Sequence, residues 1–276
     1  MLKYSEGDFK ADKVNIHFYR TGGAKPPFIF LHGATDNGLC WTRTAEKLSQ
    51  NYDVIMPDAR GHGLSDRFDA DSTSQSPADE VAALIRDLGL KKPIIMGHSM
   101  GAGTAADLAA NFPTLPGAVI LEDPGWGIPV MADNEEARKQ TAAMRAAMVG
   151  LHDLSLEELL KESRKRDPSW AEEERLPWAK AKQQFDPALF SRMALNQRSY
   201  TEIVPKIDCP TLLICAEKGI VTREVAENVA RLWQSKKAFK RVMIKGAGHN
   251  IRRERFEEFY AAVTDFLREN TKNQEI

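Results

Sequence analysis

Short apolar runs alternate along the chain with longer amphipathic stretches, and this alternation predicts strands that are connected through helices into a parallel sheet. The apolar runs are PFIFLHG, DVIMPD, KPIIMG, GAVILED, PTLLICAE and FKRVMIKG. An earlier run, KVNIHFYRTG, alternates polar and apolar residues in period two, which favours an antiparallel strand. The expected fold class is therefore α/β, with a mostly parallel sheet flanked by helices.

Helices are predicted over CWTRTAEKLSQ, SPADEVAALIRDLGL, MGAGTAADLAANF and REVAENVARLW, and from about residue 253 to residue 269. The second of these has a well-defined start. Ser76 can cap the free backbone amides, Pro77 suits the first helical position, and Asp79 favours the helix dipole. Gly89 is expected to end this helix.

The character of the chain changes between about residues 125 and 205. This stretch is rich in Glu, Lys, Arg, Ala and Met, its apolar residues recur at helical spacing, and it contains no convincing strand. We expect a helical cap at 125–205, inserted into a core domain formed by 1–124 and 206–276. Such a cap would cover the carboxyl end of the sheet, where ligands bind in open α/β folds.

Composition narrows the class of protein. The 276 residues carry a net charge of −1 and no long basic stripe, so nucleic acid is not an expected partner. Three widely spaced cysteines, Cys40, Cys209 and Cys215, favour reduced and packed thiols over a disulfide framework. Neither a leader segment nor an apolar run of about 18 residues is visible, so we expect a cytoplasmic globular protein without a membrane partner.

The segment Gly97–Gly101, GHSMG, matches the pattern Gly-x-Ser-x-Gly between a predicted strand and a predicted helix. The glycines allow a sharp turn that exposes the hydroxyl of Ser99 at the top of the sheet. The turn also places the N–H of Met100 at a helix N-terminus, where negative charge is favoured. Ser99 is therefore the candidate nucleophile and the Met100 amide a candidate oxyanion donor.

A serine nucleophile needs a base, and the base needs an orienting carboxylate. His249 lies in a glycine-rich loop directly after the last predicted strand, at the same end of the sheet as Ser99. It is the candidate base. The other histidines are less suitable. His17 lies in a predicted strand, His152 lies in the helical insertion, and His98 directly precedes the serine. His32 and His62 lie in glycine-flanked loops that they are expected to shape.

The segments FLHGATDNG, MPDARGHGLSD, GHSMGAG and GAGHN, in this order, resemble the α/β-hydrolase superfamily, in particular compact bacterial esterases, lactonases, meta-cleavage-product hydrolases and haloperoxidase-like enzymes. The resemblance implies about eight strands and a helical cap after the sixth strand. It also implies that the backbone N–H of Ala34 is the second oxyanion donor.

The acid departs from the usual family pattern. Most members carry an aspartate after the seventh strand, whereas this chain has Gly219 at about that place, in LLICAEKGIVTRE. Either the triad lacks its acid or the acid comes from elsewhere. A minority of the family places it after the sixth strand, about 24 residues beyond the nucleophile, and Asp123 lies 24 positions after Ser99.

Asp123 is therefore the first candidate for the acid, Glu122 the second and Glu217 the third. Pro124 follows Asp123 and is expected to hold it in an extended conformation at the strand end. The alternative is that Asp123 and Glu122 only end a strand in solvent.

Most apolar residues of the cap are expected to attach it to the core. They are Met131, Met144, Met148, Trp170, Trp178, Phe185, Phe190 and Met193. Trp126, three residues after the candidate acid, is the best candidate for a pocket wall. No phosphate loop, metal-ligand set or dinucleotide fingerprint is visible, so no cofactor or metal is expected.

These residues predict a serine hydrolase that cleaves small, largely apolar esters through an acyl-enzyme. The alternatives on the same residues are carbon–carbon bond hydrolysis, lactone opening and perhydrolysis. A carbon–carbon hydrolase would need a cation for its substrate carboxylate, such as Arg192 or Arg198. An alternative from another class is a non-catalytic receptor that has kept the hydrolase shell. The expected partner is a small ester or lactone, and the sequence leaves monomer and homodimer open.

Overall fold

The computed structural model describes residues 3–68, 76–127, 135–190 and 198–271. The strands are β1 Ser5–Ala11, β2 Val14–Arg20, β3 Pro27–Leu31, β4 Asp53–Pro57, β5 Ile94–His98, β6 Ala118–Glu122, β7 Thr211–Lys218 and β8 Phe239–Gly248. The α-helices are α1 Thr42–Leu48, α2 Pro77–Asp87, α3 Met100–Asn111, α4 Glu135–His152, α5 Leu156–Arg166, α6 Glu172–Lys182, α7 Tyr200–Ile203, α8 Arg223–Leu232, α9 Ile251–Glu254 and α10 Phe256–Thr271.

The eight strands form one sheet in the order β1-β2-β4-β3-β5-β6-β7-β8. Strand β2 is antiparallel to both of its neighbours, and every other pair of adjacent strands is parallel. The predicted α/β class, with a mostly parallel sheet flanked by helices, is confirmed. The carboxyl ends of β3, β5, β6, β7 and β8 lie along one edge of this sheet because these strands are mutually parallel.

The sheet is covered on both faces, as a parallel sheet requires. One apolar cluster packs α2, α3 and α8 against the sheet, and a second packs α1 and α10 against the other face. All five residues of each of β4, β5 and β6 are buried. This two-sided burial explains why these strands appear in the sequence as continuous apolar runs.

The predicted start of α2 is confirmed in detail. The side chain of Ser76 accepts a hydrogen bond from the N–H of Asp79, whose carboxylate in turn accepts one from the Ser76 N–H. Pro77 occupies the first helical turn, and Gly89 follows the helix with a φ of +60°. The reciprocal bonds satisfy two of the amides that a helix start leaves unpaired.

The chain between β6 and β7 is helical in its described residues, in α4 to α7. Helices α5 and α6 share a small apolar cluster of Leu151, Leu159, Trp170, Trp178 and Ala179. Among the described residues, no helix combines the length and the apolar character that a membrane span needs.

Two elements differ from the sequence prediction. Strand β1, SEGDFKA, was not predicted because it is an edge strand with few apolar residues, and its pairing with β2 supplies what its own pattern lacks. The last helix is divided at Arg255, whose φ of −140° separates α9 from α10. Helical periodicity is too coarse to show a break of one residue.

The turn from β5 into α3 generates a test of the fold. A Cβ at Gly101 would overlap the backbone carbonyl of Leu31, whereas one at Gly103, a turn further into α3, would meet open space. We expect Gly101→Ala to lower the free energy of unfolding by about 1–3 kcal/mol or more. Gly103→Ala should raise it by up to about 1 kcal/mol, since alanine favours a helix interior.

Urea denaturation of the two variants beside the wild type measures both effects. Similar stabilities for the two alanine variants would contradict the close approach of α3 to β3.

Candidate active site

The serine lies at a strained corner between β5 and α3. Ser99 has a φ of +52° and a ψ of −111°, which is uncommon for a residue with a side chain. Its N–H donates to the carbonyl of Glu122 at 3.0 Å, and its own carbonyl accepts from Gly103 at 3.0 Å. A Cβ at Gly97 would overlap the backbone of Gly101, so both glycines of the motif are sterically required.

His249 and Asp123 form a direct hydrogen bond. Nδ1 of His249 lies 2.6 Å from Oδ2 of Asp123, whose side chain is fully buried, while the His249 side chain is 30% exposed. Because a carboxylate only accepts, Nδ1 carries the proton and Nε2 is left to act as an acceptor. This is the tautomer that a general base in a serine hydrolase requires.

The backbone of Asp123 corrects one expectation. Its φ is +41°, so the prediction of an extended conformation before Pro124 was wrong. The residue is held by its partners instead, because its N–H donates to Ile214 and its carboxylate accepts from the amides of Ile220 and Val221 at 2.8 and 3.0 Å. These bonds outweigh the local preference that proline imposes.

Gly219 explains why no aspartate follows β7. A Cβ at this position would lie 2.6 Å from both carboxylate oxygens of Asp123. The carboxylate from β6 thus fills the space in which a side chain from the β7 loop would stand. A glycine where the family usually has its acid is the sequence feature that pointed to this arrangement.

The other two candidate acids have different partners. Glu122 is fully buried and accepts hydrogen bonds from the backbone N–H and the guanidinium of Arg252, at 2.8 and 3.2 Å. Burial raises the pKa of Glu122, and Arg252 opposes that effect. Glu217 is exposed and accepts from the N–H of Gly246 at 2.8 Å.

The loop after β3 packs against the serine corner. A Cβ at Gly33 would lie 2.7 Å from Nδ1 of His98 and 3.5 Å from Cβ of Ser99, so the loop passes directly beside the serine corner, and Ala34 is its next residue. The N–H of Asp36 donates to the carbonyl of Gly33 at 3.1 Å and closes a tight turn. Met100 is the first residue of α3, so its N–H has no acceptor within the helix.

Two buried histidines brace this loop. His32 donates from Nδ1 to the carbonyl of Gly33 at 2.8 Å, and His62 receives the N–H of Thr35 at Nε2, at 3.4 Å. Burial lowers the pKa of both imidazoles, that of His62 to about 3. They are neutral supports of the loop and not proton carriers.

His98 supports the other side of the site. Its Nε2 donates to the backbone carbonyl of His249 at 3.0 Å, and the two rings lie 4.6 Å apart. Burial holds the pKa of His98 well below its ordinary value. The ring next to His249 is therefore neutral.

A cluster of six buried charges, which we call the ionic cluster, lies behind the site: Asp36, Glu122, Glu174, Lys182, Arg252 and Arg253. Asp36 accepts from Lys182 at 2.8 Å, from Arg253 at 2.9 Å and from Arg252 at 3.3 Å. Burial would raise the pKa of Asp36, but the three cations, Arg253 foremost, hold it well below its ordinary value. Sequence analysis missed this cluster entirely, because its members are scattered along the chain.

The expected pocket wall lies against the core. Trp126 is half-buried, packs against the apolar cluster of α2, α3 and α8, and lies 6.0 Å from the ring of Tyr200. Its contact with substrate stays a prediction. Of the other apolar candidates, Trp170, Trp178 and Phe185 are buried, Met144 is 42% exposed, Met148 and Phe190 are half-buried, and Met131 and Met193 lie outside the described residues.

Arg198 and Arg192 were candidates for binding a substrate carboxylate. Arg198 donates to Asp107 and Asn111 of α3, at 3.0 and 2.8 Å, and Arg192 lies outside the described residues. Within the part of the chain that the structure describes, no three histidine, cysteine or acidic side chains are grouped to hold a metal ion.

Comparison with known proteins identifies similar chains. An N-formylmaleamate deformylase from Pseudomonas putida is 27% identical over 267 residues, covering 95% of this chain and 96% of that protein. The structure of an E-2-(acetamidomethylene)succinate hydrolase superposes with a TM-score of 0.81 at 22% identity, covering 96% of this chain and 100% of that one.

A thermophilic esterase from Thermogutta terrifontis superposes with a TM-score of 0.72 at 25% identity, covering 97% of this chain and 99% of that one. The family model described as "Alpha/beta hydrolase family" matches residues 28–262. The chain belongs to the alpha/beta hydrolase family.

Proposed function

We propose that this enzyme cleaves carboxylic esters of small substrates through an acyl-enzyme, with Ser99 as nucleophile, His249 as base and Asp123 as acid. The observation that carries the proposal is the 2.6 Å bond from His249 to a buried Asp123, beside a serine held in a strained turn. A retired site has no physical reason to keep that strain. This bond also supports Asp123 as the acid. The lack of an aspartate after β7, which had favoured a non-catalytic receptor, is then no longer an argument for that alternative.

The reaction follows from the roles of these atoms. Oγ of Ser99 attacks the carbonyl carbon while Nε2 of His249 takes its proton, and Asp123 stabilises the imidazolium that forms. The amides of Ala34 and Met100 stabilise the negative oxygen of the tetrahedral intermediate. His249 then returns the proton to the leaving alcohol, and water activated by the same histidine releases the acid. The segment 125–205, whose described residues are largely helical, serves as the cap over this site.

Amide hydrolysis is the second candidate. The relative from Pseudomonas putida that matches nearly the whole chain is named as a deformylase of N-formylmaleamate. The same three residues can hydrolyse an amide, and in that reaction His249 donates its proton to a nitrogen leaving group. For carbon–carbon hydrolysis, Arg198 gives little support because it is paired with Asp107. Lactone opening and perhydrolysis remain variants of the ester reaction.

The first test is hydrolysis of p-nitrophenyl acetate, butyrate and octanoate, with N-formylmaleamate as the amide probe. We expect turnover of the short esters by the wild type and a loss of several orders of magnitude in Ser99→Ala, because the covalent step needs the hydroxyl. Release of p-nitrophenol and of formate reports the two activities. Ester turnover that persists in Ser99→Ala would rule out Ser99 as the nucleophile, and turnover of the amide alone would favour the second candidate.

The second test concerns the acid. Asp123→Asn should lower kcat by up to about 10⁴-fold, since the amide group cannot accept from two backbone amides and from His249 together, and the imidazole then loses its correct tautomer. Glu217→Gln is the matched control, because its exposed carboxylate accepts only from the loop at Gly246 among the described residues. Steady-state kinetics and the circular dichroism spectrum separate catalysis from folding. A folded Asp123→Asn variant with near-normal kcat would move the role to Glu122 or Glu217.

A further inference from the structure

The loop after β3 contains a second strained residue. Thr35 has a φ of +62°, and this left-handed region is a clear outlier for a side chain branched at Cβ. Such a conformation persists only where the surroundings hold it. Among the described residues, the N–H of Thr35 makes one bond, a long one of 3.4 Å to Nε2 of His62. The stronger support for this conformation comes through the carbonyl of Thr35.

That support comes from the inserted helices. Lys182, the last residue of α6, is 4% exposed and donates from Nζ to the carbonyl of Thr35 and to Oδ1 of Asp36, both at 2.8 Å. Its ammonium also lies 4.9 Å from the centre of the Trp178 ring. Burying an ammonium is costly, so it is retained only where specific partners compensate for the lost hydration.

Neutralising Asp36 does not require this lysine. Oδ2 of Asp36 already accepts from Arg252 and Arg253. What Lys182 alone supplies, among the described residues, is a short and charge-assisted bond to the carbonyl of Thr35.

This bond continues through the backbone to the oxyanion site. The Thr35 carbonyl and the Asp36 N–H belong to one rigid peptide plane, and that N–H donates to the carbonyl of Gly33 at 3.1 Å. The Gly33 carbonyl in turn shares its peptide plane with the N–H of Ala34, the proposed oxyanion donor. A chain of two hydrogen bonds and two peptide planes thus runs from Lys182 to the Ala34 amide.

We propose that Lys182 is a positioning residue for catalysis, which acts from the inserted helices to hold and polarise the Ala34 amide. The inference rests on the proposed function, in which this amide stabilises the negative oxygen. Holding the two peptide planes keeps the Ala34 N–H directed at the position where negative charge develops. The ammonium of Lys182 also polarises the two hydrogen bonds, which makes the Ala34 N–H a stronger donor. The oxyanion site is then incomplete without the inserted helices.

The test uses Lys182→Met, which is one atom shorter and has no donors, and Lys182→Gln, which is equally short and carries a neutral amide in place of the ammonium. Lys180→Met is the matched control, because Lys180 is exposed on the same helix. Each protein is measured for kcat and KM on p-nitrophenyl butyrate, for thermal unfolding, and by calorimetry for its affinity for butylboronic acid. This acid forms a tetrahedral adduct with a serine hydroxyl and so reports the oxyanion site without turnover.

We expect kcat to fall by about 100-fold in both Lys182 variants, the lower end of what losing an oxyanion donor costs. Boronate affinity should fall by a similar factor while KM stays near the wild-type value. Lys180→Met should leave all three quantities unchanged.

Wild-type kcat and boronate affinity in a folded Lys182 variant would overturn the inference. So would a rise in KM at unchanged boronate affinity, which would place Lys182 in substrate binding, or failure of both variants to fold, which would make it a stability residue. A wild-type protein that neither cleaves esters nor binds the boronate would refute the proposed function itself.

Discussion

The buried carboxylate of Asp123 is the group on which the arrangement of the site depends. An unpaired carboxylate in this position would be strongly destabilising, and here it receives three donors, from His249, Ile220 and Val221. These donors shape the loop after β7, require a glycine at position 219, and fix the orientation of the imidazole. One electrostatic requirement thus brings the ends of β6, β7 and β8 together around His249.

The ionic cluster connects the segments around that carboxylate through further buried charge pairs. Glu122, the neighbour of Asp123, anchors Arg252, three residues after His249, and Arg252 also reaches Asp36 in the loop after β3. Lys182 and Glu174 bring helix α6 into the same cluster. Because these buried charges pair across separate segments of the chain, the loops and the inserted helix are held in one mutual arrangement.

Strands β2 to β8, the start of α2 and the serine corner could be predicted from the sequence, because each depends on residues that are close together in the chain. The sequence ranks Asp123 above Glu122 only by the spacing that the family resemblance implies, whereas the packing of Gly219 and Arg252 shows the different partners of the two adjacent carboxylates. The left-handed conformation of Asp123 was missed because distant donors override the local effect of proline. Lys182 resembles any surface lysine in sequence, and only the fold reveals its burial.

The inserted helices make two kinds of contact. Their described apolar residues pack largely among themselves and against the core, while Lys182 and Glu174 join the buried charges next to the loop after β3. In the proposed function, a cap that both covers the substrate and braces this loop would couple substrate choice to transition-state stabilisation. A change that reshapes the cap for a new leaving group would then also shift the peptide planes next to Ser99. Specificity and rate would not be independently adjustable, since both would depend on the position of helix α6.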